Sequence, residues 1–104
     1  MGTAGCGRTA EDRAAERAVD ACIAALEPVA GDRRPSSAVL RAALADAEDA
    51  ARTDDRWEVL ADVLRRAAAT AGTPDGDAAV ADLVDECRRS RDAVRARGGD
   101  EREA

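Results

Sequence analysis

More than half of the apolar residues in this 104-residue chain are alanine: 27 Ala stand against eight Val, six Leu, three Cys and one each of Ile, Met and Trp, with no Phe or Tyr. An alanine face buries little surface unless a neighbour comes very close to it. The 20 larger apolar residues put a domain of this size near the balance between burial and chain entropy, so self-association or a partner that completes the core is expected. No stretch shows strand-like alternation with β-branched richness. The apolar positions instead recur at three- and four-residue spacing, the mark of amphipathic helices.

Four such segments are legible. Thr9 has N-cap chemistry, with Asp12 as the acidic member of a capping box. Ala15, Val19, Cys22 and Leu26 then share one face, flanked by Ala18 and Ile23, and Pro28 and Gly31 close the helix near Glu27. Ser36 or Ser37 caps a second helix whose stripe is Leu40, Ala43, Ala47 and Ala50, widened by Leu44 and Ala51. Thr53-Asp54-Asp55 breaks it. Trp57, Leu60, Leu64, Ala67 and Ala71 form the third stripe, ending at Gly72. After the turn-rich stretch Gly72-Thr73-Pro74-Asp75-Gly76-Asp77, the fourth stripe runs Val80, Leu83, Cys87, Ser90, Val94 and stops at Gly98-Gly99. The expected fold is all-α, an antiparallel four-helix bundle with helices at about 9–27, 36–52, 54–71 and 77–97 and short loops. Residues 1–8 and the charged tail 98–104 are expected to be flexible. Pairs four apart, Glu48–Arg52, Asp62–Arg66, Asp85–Arg89 and Arg88–Asp92, are expected to support the helices.

The chain also lacks His, Lys, Asn and Gln, which removes most acid–base and metal-ligating chemistry. A net charge of −6 opposes a phosphate backbone, so nucleic acid is not an expected partner. No apolar run approaches the length of a membrane span. Thr3-Ala4-Gly5-Cys6 has the form of a lipoprotein signal's end, but the residues before Cys6 are too few for a signal peptide. An odd number of cysteines without framework spacing suits reduced thiols, and the cytoplasm is the expected location. Arg without Lys is what a GC-rich coding sequence produces, which points to a high-GC bacterium.

No residue stands out as catalytic, cofactor-binding or metal-ligating. Trp57 lies on the stripe of Leu60 and Leu64 and is expected to anchor the core. Cys22 and Cys87 lie on helices that are neighbours in such a bundle. A redox or metal pair is thinkable there, but the expectation is two small core fillers. Cys6 is an expected exposed thiol. The acidic residues fall off the apolar stripes, as solvated side chains do. Asp46, Asp49, Asp54 and Asp55 mark one candidate interaction surface; Arg88, Arg89, Arg91 and Arg95, continued by Arg97, mark another.

Two stretches resemble parts of known families. Trp57-x-x-Leu60-Ala61-x-x-Leu64 resembles the first helix of a tetratricopeptide repeat. Ala79-x-x-x-Leu83 would then stand for the second-helix pair, displaced by six residues and without the closing Pro. Ser37-Ala38-Val39-Leu40 resembles the modified-serine region of acyl carrier proteins, with Ser36 where that family has Asp. Neither resemblance carries residue roles over. The reading that follows is a non-catalytic protein–protein interaction module, with a protein partner or a second copy expected and no cofactor. The alternatives are an antitoxin-type or inhibitor-type acidic protein masking a basic partner, and a carrier domain modified at Ser36 or Ser37.

Overall fold

The structure, a computed structural model, describes residues 9–103, with side chains as far as Ala96. Helix α1 spans Ala10–Ala30, α2 spans Ser37–Thr53, α3 spans Glu58–Thr70 and α4 spans Pro74–Glu103. A single 3-10 turn, Asp55–Trp57, leads into α3. Short connections force consecutive helices to run antiparallel. The result is an all-α four-helix bundle in which each helix packs along its successor and the α1–α4 seam is the lightest of the four. The expected flexibility of residues 1–8 and the thiol of Cys6 lie outside the described residues.

The helix starts follow their capping chemistry. The Thr9 hydroxyl accepts from the Asp12 N–H at 3.0 Å while the Asp12 carboxylate accepts from the Thr9 N–H at 3.2 Å, a complete capping box. Ser36, not Ser37, caps α2 by accepting from the Val39 N–H at 3.1 Å. Asp54 serves both sides of the next junction: its N–H donates to the Ala50 carbonyl, and its carboxylate accepts from the Arg56 N–H.

Three boundaries differ from those the sequence suggests. Helix α1 runs through Pro28 to Ala30, because Pro28 forgoes only one backbone bond in the last turn. Its end is a Schellman motif: the Arg33 N–H reaches the Pro28 carbonyl and the Asp32 N–H reaches that of Val29. The left-handed residue is therefore Asp32 (φ 60°), one position past Gly31. Helix α4 starts at Pro74, since proline suits a first helical position, where its missing N–H is not needed. Asp75-Gly76-Asp77 is thus the opening turn of α4 and not part of a loop. Gly76 is required there, because a Cβ would collide with the Thr70 carbonyl oxygen. At the other end α4 continues past Gly98-Gly99 to Glu103. Each glycine weakens a helix by only about 1 kcal/mol relative to Ala, and the Glu and Arg that follow are good helix formers.

The core is an alanine core. Ten of its eighteen buried apolar residues are Ala, and the large, fully enclosed ones are Leu40, Leu60, Leu64 and Leu83. In α2 and α3 the buried faces are the expected ones. In α1 the face is turned by about one position. Ala14, Ala18, Ala21, Cys22 and Ala25 are buried, Val19 and Leu26 are half-buried, and Ile23 is 55% exposed. In α4, Ala79 and Ser90 are buried with Leu83 and Cys87, while Val80 and Val94 are half-buried. The cause is packing: alanine lets the backbones approach closely, and that outweighs burying the larger side chains one position away.

The two cysteines are not independent core fillers. Cys22 and Cys87 form a disulfide across the α1–α4 seam, with Cα atoms 5.6 Å apart, a separation suited to such a bond. The expectation of reduced thiols is corrected accordingly. Both residues are 1% exposed. The light seam is therefore joined covalently at its middle.

Candidate interaction surfaces

Most of the acidic side chains on α2 and α3 already hold cations. Arg17 of α1 reaches Asp46 at 3.6 Å and Asp49 at 3.3 Å, and Asp49 also meets Arg52. Arg65 of α3 bridges Glu48 on α2 at 3.0 Å and Asp62 on its own helix at 2.6 Å. The hydrogen bonds that Arg65 donates, to Glu48 first and then to Asp62, hold its guanidinium above its ordinary pKa. Asp54 takes Arg56 at 3.0 Å. Of the four acidic residues singled out in the sequence, only Asp55 has no ion-pair partner among the described residues. These exposed pairs each contribute little energy; their placement clasps α1 to α2 and α2 to α3.

The described ion pairs within helices stand three residues apart: Asp49–Arg52, Asp62–Arg65, Asp85–Arg88 and Glu86–Arg89. Arg66 instead crosses to Asp82 on α4 at 3.6 Å. The expected four-apart partners are thus drawn to nearer or cross-helix carboxylates.

The described arginine side chains of α4 divide into two kinds. Arg89 is held by Glu86 at 3.0 Å, and Arg88 lies 3.8 Å from Asp85. Arg91 and Arg95 are exposed and have no ion-pair partner among the described residues. Arg88, Arg91 and Arg95 line an open groove of about 300 Å³ together with Leu26, Val84, Cys87 and Asp92. The groove follows the α1–α4 seam, where the disulfide lies. Because Cys22 points at α4, helical geometry puts Val19, Ile23 and Leu26 on the same flank of α1. This apolar-and-basic face is the feature that sequence reasoning missed. Its signal was present in Ile23, placed as a flank of the buried stripe and found in solvent.

Trp57 is 2% exposed, in the core beside Leu60 and Leu64. Its indole N–H has no hydrogen-bond partner among the described residues, and the Arg56 guanidinium lies 5.6 Å from the ring centroid. A second open depression, about 470 Å³, runs between α2 and α3 and is lined by the Glu48–Arg65–Asp62 clasp. No group of three or more potential metal ligands occurs among the described residues, and no described helix is long and apolar enough to cross a membrane. Ser36 is exposed with its hydroxyl engaged in capping, and Ser37 is half-buried in the first turn of α2. Comparison with protein-family models, curated proteins and solved structures finds no match for this chain.

Proposed function

We propose that this chain is a non-catalytic protein–protein interaction module, a small adaptor, regulator or accessory subunit of a high-GC bacterium, and that it works through the α1/α4 face. The observation that carries this reading is Ile23, 55% exposed in a domain short of large apolar residues, beside a groove with two arginines, Arg91 and Arg95, that have no ion-pair partner among the described residues. An exposed apolar side chain flanked by half-buried ones and rimmed with charge is how an interaction patch is built. The acidic-inhibitor reading has less support, since Asp46, Asp49 and Asp54 would have to release their arginines to grip a basic partner.

The same seam bears on location. In a reducing cytoplasm, the location expected from the cysteine count, the Cys22–Cys87 bond would be kept open and the seam unstapled; the bond favours an oxidising compartment. Alkylating free thiols in intact cells decides between the two.

The test of function is isolation of complexes from the native host with tagged wild-type chain and with Ile23→Asp, alongside sedimentation of the pure protein. Capture of a partner, or self-association, that the substitution abolishes supports the module. A wild-type chain that sediments as a monomer and retains nothing refutes it.

A further inference from the structure

We propose that the Cys22–Cys87 bond is a redox latch: reduction parts α1 from α4 along their seam, while the other three seams stay packed and the helices stay folded. The latch acts on the frame that carries the α1/α4 face and does not depend on what binds there.

The α1–α2, α2–α3 and α3–α4 seams each join sequence neighbours across a short connection. Each is also spanned by ion pairs: Arg17 with Asp46 and Asp49, Arg65 with Glu48, and Arg66 with Asp82. Helix α1 packs chiefly on α2, and α4 chiefly on α3. The α1–α4 seam, which closes the bundle on itself, is the lightest. Arg34, in the turn after α1, does reach Asp77 of α4 at 3.2 Å, but an exposed pair of this kind adds little. Once the bond is open, each of the two helices thus keeps its main neighbour.

Little apolar surface resists the parting. The buried residues of α1 are four alanines and Cys22. Its larger side chains stand off the core, with Val19 and Leu26 half-buried and Ile23 exposed. On the facing flank of α4, Val80 and Val84 are half-buried. A hydrophobic contact holds in proportion to the apolar area it takes out of water, and an alanine methyl takes out very little. The covalent bond therefore does at this seam what packing does at the other three.

The chemistry is thiol–disulfide exchange with a dithiol. The groove beside the seam reaches Cys87 and is lined by Arg88, Arg91 and Arg95 against one carboxylate, Asp92. An incoming thiolate therefore meets net positive charge. Its sulfur bonds to that of Cys87 as the Cys22–Cys87 bond breaks, and Cys22 leaves as a thiolate that takes a proton from water. The second thiol of the reductant loses its proton to water and attacks the reductant's first sulfur; Cys87 leaves as a thiolate and is protonated in turn. The protein gains two electrons and two protons, and the dithiol departs as a disulfide. An oxidised dithiol of the same class closes the latch by the reverse steps. Both cysteines are 1% exposed, so attack goes through a transient parting of the seam, which its light packing permits.

Full-length Cys6→Ser, in which Cys22 and Cys87 are the only thiols, tests this. The oxidised protein is equilibrated with mixtures of reduced and oxidised dithiothreitol without denaturant, and free thiols are counted by alkylation and mass. Reduction is expected to be reversible, with the helical circular dichroism and the buried-type emission of Trp57 retained. In the reduced protein both thiols should react with iodoacetamide within about tenfold of their rate in the same chain unfolded by urea, as an open seam requires. Slower alkylation would mean that packing keeps the seam shut without the bond, and overturns the latch. Loss of helical signal with exposure of Trp57 also overturns it, since the bond would then be a staple against unfolding. So does a bond that yields only in denaturant.

Discussion

Opening the Cys22–Cys87 bond should cost this bundle a large share of its stability. The bond joins residues 65 positions apart, so it closes a loop holding all of α2 and α3. In the chain-entropy treatment, a closed loop of that length takes about 4 kcal/mol of free energy out of the unfolded state's favour at 25 °C. A single domain of this size has a total stability of only about 5–15 kcal/mol. The noncovalent part of the α1–α4 seam is the lightest in the bundle, so packing there offers little compensation. The double variant Cys22→Ala/Cys87→Ala should therefore unfold about 4 kcal/mol sooner in denaturant, with a melting temperature lower by roughly 15–30 °C. Denaturant unfolding followed both by circular dichroism and by Trp57 emission measures the loss. Emission reports the α2–α3 side, so coincident transitions would show that the whole bundle is weakened and not the seam alone. A loss under about 1 kcal/mol would refute the reasoning, since it would mean that packing along α1 and α4 holds the seam without the bond.

Three smaller perturbations follow from the backbone. Asp32→Gly should stabilise the fold by roughly 0.5–1 kcal/mol, because Asp32 occupies the left-handed position of the Schellman motif; a loss in thermal melts would contradict that geometry. Gly76→Ala would favour a free helix by about 1 kcal/mol, yet here it should destabilise, since the new methyl meets the Thr70 carbonyl; a gain on denaturant titration would show the junction to be loose. Ala47→Leu, at a position with no exposure, should cost about 1–3 kcal/mol by forcing α2 away from its neighbours, visible as a lower denaturation midpoint; no change would mean that the helices are not in close contact there.

How much of this could be read from the residues depends on what decided each feature. The capping box at Thr9 and Asp12 and the stripes of α2 and α3 are local, and spacing alone reveals them. Spacing failed on α1, where the large residues Val19, Ile23 and Leu26 suggested a face that packing turned away in favour of Ala14, Ala18 and Ala21. A periodicity argument weighs side chains by size, whereas helices lined with alanine are placed by how closely their backbones can approach. The disulfide was accessible only in part: the neighbouring helices of Cys22 and Cys87 were legible, but not their shared level along the bundle. The ion pairs were wrong in detail because the nearest carboxylate for Arg65 or Arg66 includes one on another helix. The α1/α4 surface could not be read at all before the core face of α1 was known.

The alanine core has a consequence for how this molecule can change shape. Alanine has no side-chain rotamers to lose on burial, so much of the interior has only one way to be filled. Accommodation by rotamer switching, the usual means by which a packed interior yields, is confined to a few leucines, Val63 and Trp57. Smooth alanine surfaces do, however, permit one helix to slide along another. With α1 and α4 bonded together, the remaining freedom belongs to α2 and α3. Any response to binding would then be a shift of that helix pair as a unit against a fixed α1–α4 frame.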